Sequence, residues 1–424
     1  MITIPFIYFL ILTIYLIKKN RGVDISAFVT MIYALSALCS IIAHIKGLYG
    51  EGGICEEMEI SPFATFVYCA LITLSIIPFA YLKSTSLHDI YLDPKKEYII
   101  DVLSWVLILV SLISIIYIFN DVNQVFHSDL KEVRDDVYDH SEGKSYTGVE
   151  WLINFIRLFF NQYSPLSILL FFYNIRYNRK TKLFNYLLLF ASLIPVFASI
   201  LIAGRTQPVY WLLTFMLIYN LFRPLLNKKQ RATAIRPFAF FGGIILLWIS
   251  AITIARFASG VASDEEDTWA SVIAYTGQSF INFNDFFCNY TAHDLNFCRI
   301  FPLSYHFFID RNWNLWEYRD EIWSYSGMNI GVFYTFLGDL LVDLGHTGMF
   351  IYVSIFSFIS IMICKDANKN GIATLGKLML IIMLILLPLH GLFYFSYWKI
   401  VNSYYVIGTV ILYIMLNYSV KIKK

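Results

Sequence analysis

Apolar runs long enough to cross a bilayer recur along the whole chain, and that recurrence constrains its fold more than any other feature. A hydrocarbon core ~30 Å thick takes about twenty helical residues to span. Inside it, only helices and closed barrels satisfy their own backbone groups. Runs of suitable length lie near 2–17, 25–45, 62–82, 98–119, 151–173, 183–203, 207–222, 237–256, 347–364, 378–398 and 403–420. The expected fold is therefore an all-α polytopic membrane protein with about 11 transmembrane helices, residues 1–424 forming one integral membrane domain. Composition agrees, with 58% hydrophobic residues, 15% charged residues and a mean hydropathy of +0.62, outside the range of soluble domains.

Basic residues set the orientation. KKNR at 18–21, the 83–96 segment, RYNRKTK at 176–182, NKKQR at 227–231, KDANK at 365–369 and the terminal KIKK occupy alternate loops, and with their flanks hold 21 of the 32 Lys and Arg. The positive-inside rule makes these loops cytoplasmic, with the N-terminus outside and the C-terminus inside. Acids sort the other way: only Asp24, Asp89, Asp93, Glu97, Asp101 and Asp366 fall on the inner side. The first span carries its positive cluster after it, the reverse of a signal peptide, so it is expected to remain as a membrane helix. No CxxC or Cys/His zinc spacing occurs, and Cys288 and Cys298 share one outer loop, as a disulfide or as two thiols.

Three outer segments are long: 46–61, 120–150 and 257–346. The second is acidic, with a short surface helix expected over 129–138, and reads as a solvated cap. In the third, DEED at 264–267 gives way to aromatics at nearly every second or third position. Such residues suit the membrane interface, so 257–346 is expected to be an external loop with interfacial helices. The DEED run reads as a solvated turn, because consecutive acids cannot converge on one ion and no His partners them. No Walker sequence, dinucleotide fingerprint, GxSxG elbow or basic nucleic-acid patch is present. The inner loops are also too short to fold a domain that binds a nucleotide sugar.

Charges near the outer boundary are the candidate chemistry. Arg205 lies in the short AGRT turn at 203–206, after Gly204 and ahead of Pro208, and Arg256 ends a span in the same layer. Together they could grip a diphosphate bidentately, or each could simply snorkel. Asp339 and Asp343 stand i, i+4 in FLGDLLVDLG, on one helix face. Asp339 falls in an apolar run, so it either works as a general base or is neutralised by an arginine, with Arg205 and Arg256 the expected partners. His306 in SYHFF is a second candidate base, or a packed side chain. Arg299, Arg311 and Arg319 could contact phosphate or glycan, or pair with neighbouring acids.

The AGRT turn, YTGQSFINFNDFF at 275–287 and NIGVFYTFLGDLLVDLGHTG at 329–348 resemble the corresponding stretches of the bacterial O-antigen and capsule repeat-unit polymerases, the Wzy-type oligosaccharide polymerases. That resemblance implies a GT-C-like membrane glycosyltransferase in the bacterial cytoplasmic membrane. It would transfer a growing glycan from undecaprenyl diphosphate to the sugar end of another lipid-linked repeat unit, with no nucleotide, metal or other cofactor. Expected partners are undecaprenyl-diphosphate-linked oligosaccharides, membrane lipid and a chain-length regulator protein. Arg205 matches the family's Gly-Arg position, and Arg256 matches it less closely. In the related O-antigen ligases a His-Asn pair precedes the late glycines, where this chain has Tyr334 and Thr335, which argues against ligation. A flippase of lipid-linked oligosaccharide is the competing class. It would call for polar groups through the midplane and two repeated halves, whereas polarity here gathers on one side.

Overall fold

The computed structural model describes residues 1–50, 53–125, 149–201, 204–258, 268–291, 297–310, 315–397 and 399–418. The DEED run and the expected surface helix over 129–138 lie outside them. In chain order the helices are α1 (Ile4–Asn20), α2 (Ile25–Ile45), α3 (Pro62–Ile76), α4 (Glu97–Val125), α5 (Val149–Asn161), α6 (Ser164–Tyr177), α7 (Lys182–Ala191), α8 (Ile194–Leu201), α9 (Thr206–Phe222) and α10 (Lys228–Ala258). They continue as α11 (Thr268–Asn289), α12 (Pro302–Phe308), α13 (Leu315–Ser326), α14 (Thr335–Ala367), α15 (Leu375–His390) and α16 (Ile400–Asn417). Among the described residues, seven helices are long and apolar enough to cross a membrane, or eight if the pair Leu152–Asn161 and Ser164–Tyr177, bent by 59°, is one span. This is a helical, multi-pass membrane architecture by length and composition. The spans expected at 2–17, 207–222 and 378–398 fall on α1, α9 and α15, which have only 17, 17 and 16 residues.

The chain divides into two compact units. The first contains Met1–His88, Arg256–Ala373 and Leu380–Ser403. Its α2 starts at a buried N-cap, Asp24, whose carboxylate accepts from the Ala27 N–H at 2.9 Å, from the Ser26 hydroxyl and from Asn20. A cap of this kind satisfies a backbone donor the first turn would otherwise leave open. Against α2 lies α11, and the two backbones meet at Gly277. A methyl group there would come within 2.6 Å of the Cys39 carbonyl carbon, and the Ser40 and Ser36 hydroxyls donate to the carbonyls of Gly277 (2.5 Å) and Thr276 (2.7 Å). Small residues let membrane helices approach this closely.

Within the segment expected to be an external loop with interfacial helices, α11 is packed into the protein interior. Although α11 is rich in aromatics, it is a 22-residue helix whose stretch Gln278–Asn284 is wholly buried. Its polar residues hold loops in place. Asn282 accepts from the Cys55 N–H and donates to the carbonyls of Gly53 and Phe333, Asn284 accepts from the Ser61 N–H, and Gln278 accepts from the Phe333 N–H. Buried amides are tolerated because each is partnered.

The second unit contains Asp89–Ala255, Thr374–Met379 and Tyr404–Lys424. Its centre is aromatic: Phe215 stacks on Phe238 (4.4 Å, 13°), and Phe172 contacts both Phe215 and Phe222. At one end Arg179 bridges Glu97 (3.0 Å) and Asp101 (3.4 Å), so part of the basic 176–182 loop is neutralised by the few acids expected on its side. Outward on α10, Phe240, Ile244, Leu246 and Leu247 are 64, 50, 57 and 73% exposed, a burden an isolated soluble domain would not carry and lipid would cover.

Candidate functional site

The late Asp pair sits on a buried half-helix. α14 starts at Thr335, a β-branched residue held at φ +64, where the Phe336 N–H donates to the Gly391 carbonyl at 2.7 Å. It breaks at Gly345 (φ 67, ψ 179), a conformation that glycine reaches without strain. Every residue from Thr335 to Asp343 is buried. The helix therefore begins twelve residues ahead of the span expected at 347–364, and the i, i+4 spacing does place both carboxylates toward one partner segment.

Among the described residues that partner is Arg299 rather than Arg205; the Arg256 side chain lies outside them. The Arg299 Nη2 meets Asp339 Oδ1 at 2.5 Å, with the side chains 4% and 0% exposed. Arg299 Nη1 donates to the Tyr334 hydroxyl at 2.6 Å, and that hydroxyl donates to Asp339 Oδ1 at 3.0 Å. The Phe395 N–H takes the other carboxylate oxygen at 2.5 Å. Both Asp339 oxygens are thus engaged, in a place without solvent access. Burial alone would lower the Arg299 pKa, but Asp339, Tyr334 and Asp343 outweigh it and hold the pKa above the ordinary value, so the guanidinium stays charged.

Asp343 binds the backbone of the same segment. Its Oδ2 accepts from the N–H groups of Arg299 (2.7 Å) and Ile300 (3.0 Å), and its Oδ1 from the Tyr318 hydroxyl (3.2 Å) and the Cys298 thiol (3.8 Å). Two successive N–H groups form a small anion-binding concavity. Burial first, then the Asp343 charge, pushes the Cys298 thiol and the Tyr318 phenol above their ordinary values. One half-helix therefore fixes three separate stretches, at 298–300, 318 and 395.

Tyr334 is the hub. Its ring stacks on Phe286 (4.3 Å, 8°) and lies across Gly338, where a methyl group would overlap it. Phe333, next to it, meets Tyr275, Phe393 and Tyr394 edge-on. The segments 275–287 and 329–348, which carry the family resemblance, thus pack on one another through Gln278, Asn282 and Phe286.

The other sequence candidates fall elsewhere. Arg205 is half-buried in the second unit, in the turn where the Gly204 N–H donates to Ser199 at 2.8 Å and α9 begins one residue later. Arg256 is in the last turn of α10 and is grouped with the first unit; its side chain lies outside the described residues, as does Arg311. Arg319 reaches Asn329 at 3.5 Å. His306 is half-buried on α12, and its Nδ1 is a buried nitrogen with no hydrogen-bond partner among the described residues. Cys288 is exposed and Cys298 buried, and both are free thiols, so the disulfide alternative does not hold. Cys298 faces Asp343 instead.

No protein-family model, curated protein or solved structure matches this chain. Sequence reasoning missed Tyr334 as a site residue and left Arg299 undecided. A signal was available for Tyr334, because a tyrosine four residues ahead of a helical glycine and five ahead of an aspartate can lie across one and reach the other.

Proposed function

We propose that this protein is a membrane glycosyltransferase that polymerises undecaprenyl-diphosphate-linked oligosaccharide repeat units into surface polysaccharide, with about eleven crossings in a GT-C-like bundle. The observation that carries the reading is the packing of 275–287 against 329–348. The two stretches that resemble the Wzy-type polymerases, more than forty residues apart, join through buried hydrogen bonds from Gln278 and Asn282. A purely lipid-facing bundle has no need of such a polar assembly, since each buried amide must be desolvated and repaired.

Roles follow from the surroundings of each group and from the resemblance. Asp339, with both oxygens occupied, serves to hold Arg299 and Tyr334 rather than to accept a proton. His306, whose buried Nδ1 has no hydrogen-bond partner among the described residues, is assigned the role of proton acceptor for a sugar hydroxyl. Arg205, which matches the Gly-Arg position of the resemblance, and Arg256 are assigned to the departing diphosphate on that resemblance, a task suited to a planar guanidinium.

The test is genetic and biochemical together. Arg205→Ala and His306→Ala variants, expressed at normal levels in a bacterial strain lacking this protein, should leave single-repeat glycan on the cell surface where the intact chain yields a ladder. Loss of all surface glycan, with lipid-linked units retained inside, would identify a flippase and overturn the reading.

A further inference from the structure

Helix α12 has only seven residues, and a helix of two turns does not hold itself in water or at an interface. Its C-terminal apolar residues do not anchor it: Phe307, Phe308 and the adjoining Ile309 are 56, 87 and 66% exposed, while Pro302 at its start is buried. What ties it down lies one turn upstream. The chain from Phe297 runs into α12 through continuous backbone bonds, Phe301 N–H to Phe297 and Tyr305 N–H to Phe301, both 2.9 Å. Within that turn the N–H groups of Arg299 and Ile300 are bound to Asp343.

We infer that Asp343 is the positioning residue for His306: its carboxylate, by binding the Arg299 and Ile300 N–H groups, fixes α12 and with it the His306 imidazole, whose Nδ1 is buried and unpartnered among the described residues. The inference rests on the proposed transfer reaction for its chemistry, but not for its geometry. Asp343 touches no substrate and exchanges no proton with the imidazole. Its neighbours Tyr318 and Cys298 complete the carboxylate's shell on the other oxygen. The late glycine Gly345 ends the half-helix two residues further on, which keeps the Asp343 turn separate from the membrane-crossing remainder of α14.

Two measurements on the full-length protein test it. The first is independent of any activity. His306→Cys is introduced, and the rate of maleimide modification at that position is followed by mass spectrometry with Asp343 intact, as Asp343→Asn and as Asp343→Ala. Losing two charge-assisted bonds should raise the modification rate about tenfold or more in Asp343→Ala. Asp343→Asn, which keeps an acceptor oxygen for both N–H groups, should stay within about threefold. If Asp343→Ala does not accumulate, Asp343→Leu, which supplies no acceptor for either N–H group, takes its place with the same expected rise of about tenfold or more. An unchanged rate in the variants overturns the positioning role.

The second measurement is a double-mutant cycle on chain extension, using the purified protein in liposomes with an undecaprenyl-diphosphate-linked repeat unit. If Asp343 acts through His306, the pair Asp343→Ala and His306→Ala is no slower than His306→Ala alone. Effects that multiply assign Asp343 to general stability and overturn the inference. An altered modification rate with full extension by His306→Ala retains the anchoring of α12, removes His306 from the reaction, and so refutes the proton-acceptor assignment instead.

Discussion

Replacing Gly338 with alanine sets helix propensity against tertiary packing, with opposite signs. On an exposed helix this change stabilises by roughly 1 kcal/mol, because glycine loses more backbone freedom on folding. At Gly338 the added methyl would overlap the Tyr334 ring, with the ring Cγ and Cε2 only 2.8 Å away. Tyr334 has nowhere to retreat, since its other face stacks on Phe286 and its hydroxyl joins Arg299 and Asp339. Overpacking a filled interior costs about 1–3 kcal/mol. Each hydrogen bond to a charged group that a displaced hydroxyl gives up adds roughly 1.5–3 kcal/mol. The net expectation for Gly338→Ala is a loss of about 2–5 kcal/mol, from those ranges less the helix gain. The assay is the midpoint temperature at which the purified protein in detergent loses its monodisperse chromatographic peak, and it should fall by about 5 °C or more. Gly243→Ala in α10, where nothing lies within 4 Å of the methyl position, is the control and should be neutral or slightly stabilising. A Gly338→Ala midpoint equal to or above the parent's would refute the placement of Tyr334 and the hub built on it.

Other expectations follow from the same assembly. Asp339→Ala strands the buried Arg299 guanidinium and should cost about 3–5 kcal/mol by the same heating assay, whereas Arg299→Met combined with Asp339→Leu should cost less than either single change, because no unpaired charge remains. A double variant worse than both singles would show that the pair is not coupled. For Cys298, the folded thiol keeps its proton above the ordinary value of roughly 8.5, so the unfolded chain releases its proton first and stability contributed by this group declines as pH rises past that value. Maleimide at pH 9 should therefore modify exposed Cys288 rapidly and Cys298 only after denaturation. Equal modification of the two in the folded protein would contradict the burial of Cys298.

Local regularities were legible in advance. Apolar runs marked nearly every long helix, since helix length and bilayer thickness are matched residue by residue, and the i, i+4 interval placed Asp339 and Asp343 on one face without reference to any other part of the chain. The same reading could not choose an arginine for Asp339. Arg299, Tyr334 and the Phe395 N–H are 40, 5 and 56 positions away in sequence, and only the folded path of the chain converts such intervals into a 2.5 Å contact. The aromatic texture of 268–289 likewise suited the interface as well as the interior; what drew it inside was the partner Gly277 found in the Cys39–Ser40 backbone of α2. Sequence thus determined that the apolar runs are helical and that the two late carboxylates share a face, because those depend on neighbours within a turn or two. Tertiary structure alone decided which charges meet, because an ion in an apolar interior persists only beside the particular counter-charge and donors that desolvation makes obligatory.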